Sequence, residues 1–138
     1  MYCINGEVTL DDGAKYMFVE QHRKQNAVKS KWIISFAEEH TCFSLAYNNR
    51  WIDTNKGWGL HFLENRISQL GISRSGQRLF IAKFVDSTNN NVWHGYPADY
   101  VSNIHDRPAT SVLSDWVDRE YIDKTGMNRI ISGKRGRI

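Results

Sequence analysis

The densest group of side chains that can do chemistry lies between Trp93 and Arg107. If a strand ends at Tyr96, His94 and Tyr96 point to one face, because side chains alternate along a strand. Metal-independent cleavage of a phosphodiester needs a histidine near neutrality, a second acid or base, and a cation for the phosphate. The candidate catalytic residues are His94, Tyr96, Asp99, His105 and Arg107.

A purely structural role fits the same residues. Trp93 and Tyr96 are then aromatics of the core or its rim, and His94 bonds to the backbone. The sequence contains no strand–turn–helix serine motif, no His-x-x-x-His pair and no glycine-rich phosphate loop. Its histidines and its two cysteines lack metal-ligand spacing, so we expect no metal and no cofactor. Enzyme status stays undecided, and a binding protein is favoured.

A second group lies in the segment between Asn48 and Gly59. Two tryptophans beside two cations form the kind of surface that stacks on bases and contacts phosphates in single-stranded nucleic acid. Tryptophan is usually mostly buried, so the same residues also fit a loop held against the core. The candidate nucleic-acid-binding residues here are Arg50, Trp51, Lys56 and Trp58.

The third group is the basic C-terminal segment 124–138, which contains no acidic residue. The rest of the chain carries more acidic than basic groups, so this segment holds the whole excess behind the net charge of +3. A short helix followed by a Gly/Arg tail can displace counterions from phosphates. A solvated terminus is the alternative. The candidate nucleic-acid-binding residues here are Lys124, Arg129, Lys134, Arg135 and Arg137.

A β-hairpin is the clearest predicted element that positions these groups. The segments 79–85 and 92–96 are rich in β-branched and aromatic residues, and the intervening Thr88–Asn91 is typical of a turn. Further strands are predicted over residues 2–10, 15–21, 31–37 and 42–47. Apolar spacings of three and four residues predict helices over 60–70 and 109–121.

Strands and helices are segregated along the chain, which favours the α+β class with a mostly antiparallel sheet of about five to six strands and two packed helices. A length of 138 residues predicts one globular domain, 1–123, followed by the basic segment. The longest apolar runs are far shorter than the roughly 20 residues that cross a bilayer. We therefore expect a soluble, cytoplasmic protein without membrane contact, in an oligomeric state that the sequence leaves undefined.

Three functional hypotheses follow. The first is a non-catalytic accessory protein that contacts nucleic acid, or a complex that handles it, through the basic segment and the tryptophan loop. The second is a small metal-independent endoribonuclease-like enzyme centred on His94. The third is an antitoxin, immunity or assembly subunit whose acidic stretch, residues 115–123, meets a protein partner.

Overall fold

The architecture was obtained as a computed structural model, which describes residues 6–23 and 29–135. Within these residues, ten strands and three helices form an α+β fold, so the predicted fold class is confirmed. The strands are β1 (Glu7–Thr9), β2 (Lys15–Met17), β3 (Lys31–Trp32), β4 (Ile52–Asp53), β5 (Lys56–Leu63), β6 (Arg66–Ser68), β7 (Gly71–Ile72), β8 (Arg78–Leu79), β9 (Ile81–Val85) and β10 (Val92–Pro97), and the helices are α1 (Phe36–Asn48), α2 (Thr110–Asp118) and α3 (Lys124–Ile131).

The main sheet has seven strands in the order β1-β2-β10-β9-β5-β4, with β6 paired to β5. Its described pairs are antiparallel except for β2 and β10, which run parallel. A smaller antiparallel sheet has the order β3-β7-β8. The predicted hairpin is present as β9 and β10, and Asn89 and Asn91 in its turn have positive φ. This hairpin lies inside the main sheet and carries His94 and Tyr96.

Helix α1 replaces the strand predicted over residues 42–47, which is therefore wrong. The helix begins at a capping box, in which Ser35 Oγ accepts from the Glu38 amide and the Glu38 carboxylate accepts from the Ser35 amide. That box satisfies backbone groups at the helix start and favours a helix over the β-formers that follow. It also shortens the strand predicted over residues 31–37 to Lys31–Trp32.

The helix predicted over residues 60–70 is also wrong, because this segment forms β5, a tight turn and β6. Glu64 and Asn65 both have positive φ, the conformation that a two-residue hairpin turn requires. Leu60 and Leu70 are buried while Leu63 is 54% exposed, so no continuous helical stripe faces the core. By contrast, α2 falls within the predicted helix over 109–121.

The core between α1 and the sheet is built largely from aromatic rings. Tyr16 stacks on Phe43 at 4.7 Å between ring centroids, and Phe43 meets Phe84 edge to face at 5.2 Å. Helix α1 crosses close to β5 at Gly59, where a Cβ would lie 3.1 Å from the Cys42 carbonyl oxygen. Each such buried aromatic side chain contributes about 1.5–3 kcal/mol, so this packing fixes the helix on one sheet face.

Gly95 provides a direct test of this packing. A Cβ at this position would overlap the Phe84 ring and lie 2.8 Å from Tyr16 Oη. Overpacking of a filled core usually costs about 1–3 kcal/mol. We expect Gly95→Ala to lower the free energy of unfolding by about that amount in urea denaturation. An unchanged unfolding midpoint would show that β10 does not pack against Phe84 as described.

Candidate functional site

A cleft of about 530 Å³ lies where β10 meets the loop between β10 and α2, the turn before β3, and the turn between β7 and β8. It brings together residues far apart in sequence and is rich in groups that exchange protons or bind anions. We call it the cleft. It is lined by Gln21, His22, Lys29, Ser30, Ser73, Arg74, His94, Tyr96, Asp99, Ser102, Asn103 and Asp106.

His22 is held at the cleft in a defined orientation. It ends a short 3₁₀ turn, and its ring stacks on Tyr96 at 5.1 Å between centroids with an angle of 19° between the planes. Nδ1 lies 3.0 Å from the Ser30 carbonyl oxygen, which can only accept, so Nδ1 carries a proton. The neutral ring therefore keeps the lone pair on Nε2. This is the orientation of a general base.

His94 lies on β10 two residues before Tyr96 and lines the same cleft. Its Nε2 lies 3.1 Å from Ser87 Oγ, and its Nδ1 is buried without a hydrogen-bond partner among the residues that the structure describes. Buried polar atoms are nearly always paired, so an unpaired imidazole nitrogen at a cleft is typical of a functional group. His94 and His22 thus present two imidazoles to one cavity.

Both imidazoles are biased towards the neutral form. Burial lowers the pKa of His22 and that of His94 below the ordinary value of 6.5, because desolvation penalises the charged ring. Lys29 lowers the pKa of His22 further, and so does a charge on His94, whereas the hydrogen bond to Ser30 raises it. The two rings are therefore electrostatically coupled, and protonating one of them disfavours protonation of the other.

Tyr96 is held as a neutral phenol. Its Oη donates to Asp106 Oδ1 over 2.7 Å, and the amide of Asp99 donates to Asp106 Oδ2 over 2.9 Å. Burial raises the pKa of Tyr96 well above its ordinary value, and the neighbouring Asp106 carboxylate raises it further. Lys83 Nζ lies 3.8 Å from Asp106 Oδ1 and balances this buried charge. Asp106 therefore fixes the position of Tyr96, the residue on which the His22 ring stacks.

The cations at the cleft are Arg74 and Lys29, whereas the sequence predicted Arg107. Arg107 Nε donates to the Tyr100 carbonyl and one of its terminal nitrogens donates to the Ile131 carbonyl, so this guanidinium ties the loop to α3. His105 is exposed and does not line the cleft. Of the five candidate catalytic residues, His94, Tyr96 and Asp99 line the cleft, whereas His105 and Arg107 do not.

The two tryptophans of the predicted nucleic-acid surface belong to the core, which corrects the expectation that they stack on bases. Trp51 is 1% exposed and its indole nitrogen donates to Asp115 over 2.7 Å. Trp58 is 3% exposed and donates to the Asp106 carbonyl. Arg50 lines a separate depression beyond α1, and Lys56 is exposed on β5. Neither cation lines the cleft.

The basic C-terminal segment begins with α3, which packs against α2. Ile130 is buried, while Lys124, Arg129, Lys134 and Arg135 are exposed. One terminal nitrogen of Arg129 donates to the Arg135 carbonyl over 3.1 Å, so the chain after the helix is folded back along it. Arg137 lies outside the described residues.

His22, Lys29 and Arg74 are cleft residues that sequence reasoning missed. His22 and Lys29 stand in a short basic stretch whose charge alone is visible in the sequence. Arg74 stands in Ser-Arg-Ser-Gly, a composition typical of a turn. The alternation of side chains on β10 reveals His94 and Tyr96, but the approach of His22 depends on a contact between distant elements.

Two of the three serines at the cleft, Ser30 and Ser73, are engaged in other bonds, and the third is the exposed Ser102. Ser30 Oγ donates to the Pro97 carbonyl, and Ser73 Oγ bonds to Ser75 Oγ. The serine that contacts His94 is Ser87, which is exposed and does not line the cleft. Burial raises the pKa of the Cys42 thiol in the core, which keeps it unreactive. The cleft therefore combines proton-transfer groups with cations.

Comparison with known proteins gives no match to a protein-family model, a curated protein or a solved structure. No helix within residues 6–23 and 29–135 is long and apolar enough to span a bilayer. In the same residues, no three His, Cys, Asp or Glu side chains are grouped so as to hold a metal ion.

Proposed function

We propose that this protein is a small metal-independent endoribonuclease-like enzyme whose proton-transfer groups are His22 and His94. The observation that carries the proposal is the opening of both imidazoles onto one cleft beside the exposed guanidinium of Arg74. RNA supplies its own nucleophile, because its 2′-hydroxyl adjoins the scissile phosphate. The two histidines and Arg74 supply the rest of the chemistry: a base, an acid and a cation.

In the proposed reaction, His22 Nε2 accepts the proton of the 2′-hydroxyl while that oxygen forms a bond to phosphorus. The bond from phosphorus to the 5′-oxygen breaks, and protonated His94 donates its proton to this leaving oxygen. The products are a 2′,3′-cyclic phosphate and a 5′-hydroxyl, with no oxidant, reductant or second substrate consumed. Arg74 faces the charge that develops on the non-bridging oxygens. Tyr96 holds the His22 ring in position.

The pH dependence of cleavage tests this assignment. The reaction needs one histidine neutral and the other protonated, and burial lowers the pKa of both below 6.5. We therefore expect a bell-shaped profile with its optimum below pH 6.5, and rates that fall about tenfold per unit at higher pH. The measurement is the initial rate on a fluorescent RNA oligonucleotide, with a chelator present, from about pH 4 to pH 9. A rate that rises steadily to pH 9 would contradict a histidine acid.

A non-catalytic nucleic-acid-binding protein is the second candidate. It is favoured by the exposed cations of α3 and the segment after it, Lys124, Arg129, Lys134 and Arg135. Its remaining predicted contacts, Arg50 and Lys56, are exposed as well. This candidate predicts salt-dependent RNA binding without strand cleavage, and binding that is indifferent to the replacement of His22 or His94. Assaying both binding and cleavage on the same oligonucleotide separates the two candidates.

A further inference from the structure

The turn between β7 and β8 joins the cleft to the basic C-terminal segment. Arg74 on this turn lines the cleft, and Gln77 on the same turn accepts a hydrogen bond from the guanidinium of Arg135 through its side-chain oxygen. The turn is closed by bonds from the Ser73 amide to the Gln77 carbonyl, at 2.8 Å, and from the Gln77 amide to Ser73 Oγ, at 3.0 Å. Two clusters that are separate in the sequence thus meet across one short, hydrogen-bonded turn.

Beyond this turn lies a shallow depression of about 300 Å³ on α3, which we call the groove. Arg129 and Lys134 line it, together with uncharged hydroxyl and amide side chains. None of the described residues that line it carries a carboxylate. Among residues 6–23 and 29–135, no salt bridge involves Arg74, Arg129, Lys134 or Arg135. Within the described part of the chain no carboxylate pairs with these cations, so their positive charge is available to a polyanion.

We propose that the cleft and this groove bind a single strand of RNA together, along a basic path formed by Arg74, Arg135, Lys134 and Arg129. This inference rests on the proposed function for the cleft end and adds the substrate class: a strand of several nucleotides, not a dinucleotide. The cations of the groove contact successive phosphates of the strand, while the scissile phosphate lies between His22 and His94. Lys134 and Arg135 determine the affinity for long strands.

The chemistry of the path favours nucleic acid over an acidic protein. The cleft end is suited to a phosphodiester, and the described residues that line the groove are all polar or cationic. The nearby tryptophans are buried, so base stacking contributes little and counterion release dominates. We therefore expect binding that depends strongly on salt and weakly on sequence.

Fluorescence anisotropy with oligodeoxynucleotides tests this path independently of catalysis, because a DNA strand lacks the 2′-hydroxyl and is not cleaved. The probes are a labelled trimer and a labelled strand of about 12 nucleotides, which lies within the usual span of single-strand sites. We expect the longer strand to bind more tightly. The double variant Lys134→Ala/Arg135→Ala is expected to weaken that binding by about tenfold and to reduce the slope of log K against log salt by about 1.4.

The matched control is Arg66→Ala, which removes an exposed guanidinium from β6, outside the path. It is expected to leave binding of the longer strand unchanged. If the double variant and the control bind alike, or if an acidic peptide binds while the oligonucleotide does not, the path is overturned. If the double variant weakens DNA binding as expected but the wild-type protein leaves RNA intact, the proposal of a binding path is supported and the proposal of an enzyme fails. Cleavage that depends on His94 with no effect of the double variant overturns the path alone.

Discussion

Replacing His94 by alanine is expected to reduce RNA cleavage by about 10²–10⁴-fold, the usual contribution of one positioned acid or base. The loss follows because the leaving 5′-oxygen then has no proton donor, while binding through Arg74 remains. His94 makes one hydrogen bond, to Ser87, among the described residues, and its Nδ1 has no partner. The substitution therefore removes little that stabilises the fold. Initial rates on labelled RNA, with circular dichroism as a check of folding, measure the effect.

His105→Ala is the matched control for this experiment. The sequence places His105 in the same cluster, but its side chain is exposed and does not line the cleft. We expect this variant to cleave RNA at the wild-type rate. Equal losses in both variants, or full activity in His94→Ala, would remove His94 from the mechanism.

The second large effect is expected on stability, from Arg23→Met. Arg23 donates to Glu39 over 2.5 Å, and Glu39 is 1% exposed and also accepts from Tyr16 Oη. Burial raises the pKa of the Glu39 carboxyl, whereas its bonds to Tyr16 and Arg23 lower it, so the carboxylate depends on these partners. Removing one partner of a buried pair typically costs about 3–5 kcal/mol. We expect the free energy of unfolding to fall by that amount in urea denaturation.

Arg119→Met provides the control for this prediction. It removes a guanidinium from the Arg119–Asp115 pair, whose side chains are 39% and 38% exposed, where solvent weakens the interaction. Its effect should be far smaller. If the two variants lose similar stability, the Arg23–Glu39 pair is not the buried link described. Because Arg23 directly follows His22, its loss should also lower cleavage by releasing the turn that orients the imidazole.

The parts of the fold that could be predicted are those governed by local sequence. The β9–β10 hairpin follows from asparagines that tolerate positive φ, and α2 follows from its apolar face. The helix predicted over residues 60–70 was wrong because the apolar residues spaced like a helix stripe lie on two antiparallel strands, Leu60 and Leu63 on β5 and Ile67 on β6. The strand predicted over 42–47 was wrong because the capping box at Ser35 outweighed the preference of Phe43 and Tyr47 for strands.

The site was partly predictable for the same reason. Alternation along one strand brings His94 and Tyr96 to one face, which requires no tertiary information. The position of His22 requires the stacking of its ring on Tyr96, and that of Arg74 requires the turn between β7 and β8 to reach the cleft. The burial of Trp51 and Trp58 depends likewise on partners distant in sequence, Asp115 and Asp106.

The most direct test of the account is mass spectrometry of the ends produced from a short RNA in the presence of a chelator. The control substrate is the same strand with one 2′-deoxynucleotide at the scissile position. The account predicts 2′,3′-cyclic phosphate and 5′-hydroxyl ends from RNA, loss of those products in His94→Ala, and no cleavage at the deoxy position. Intact RNA with folded wild-type protein between about pH 4 and pH 7, or equal cleavage of the deoxy position, would contradict it.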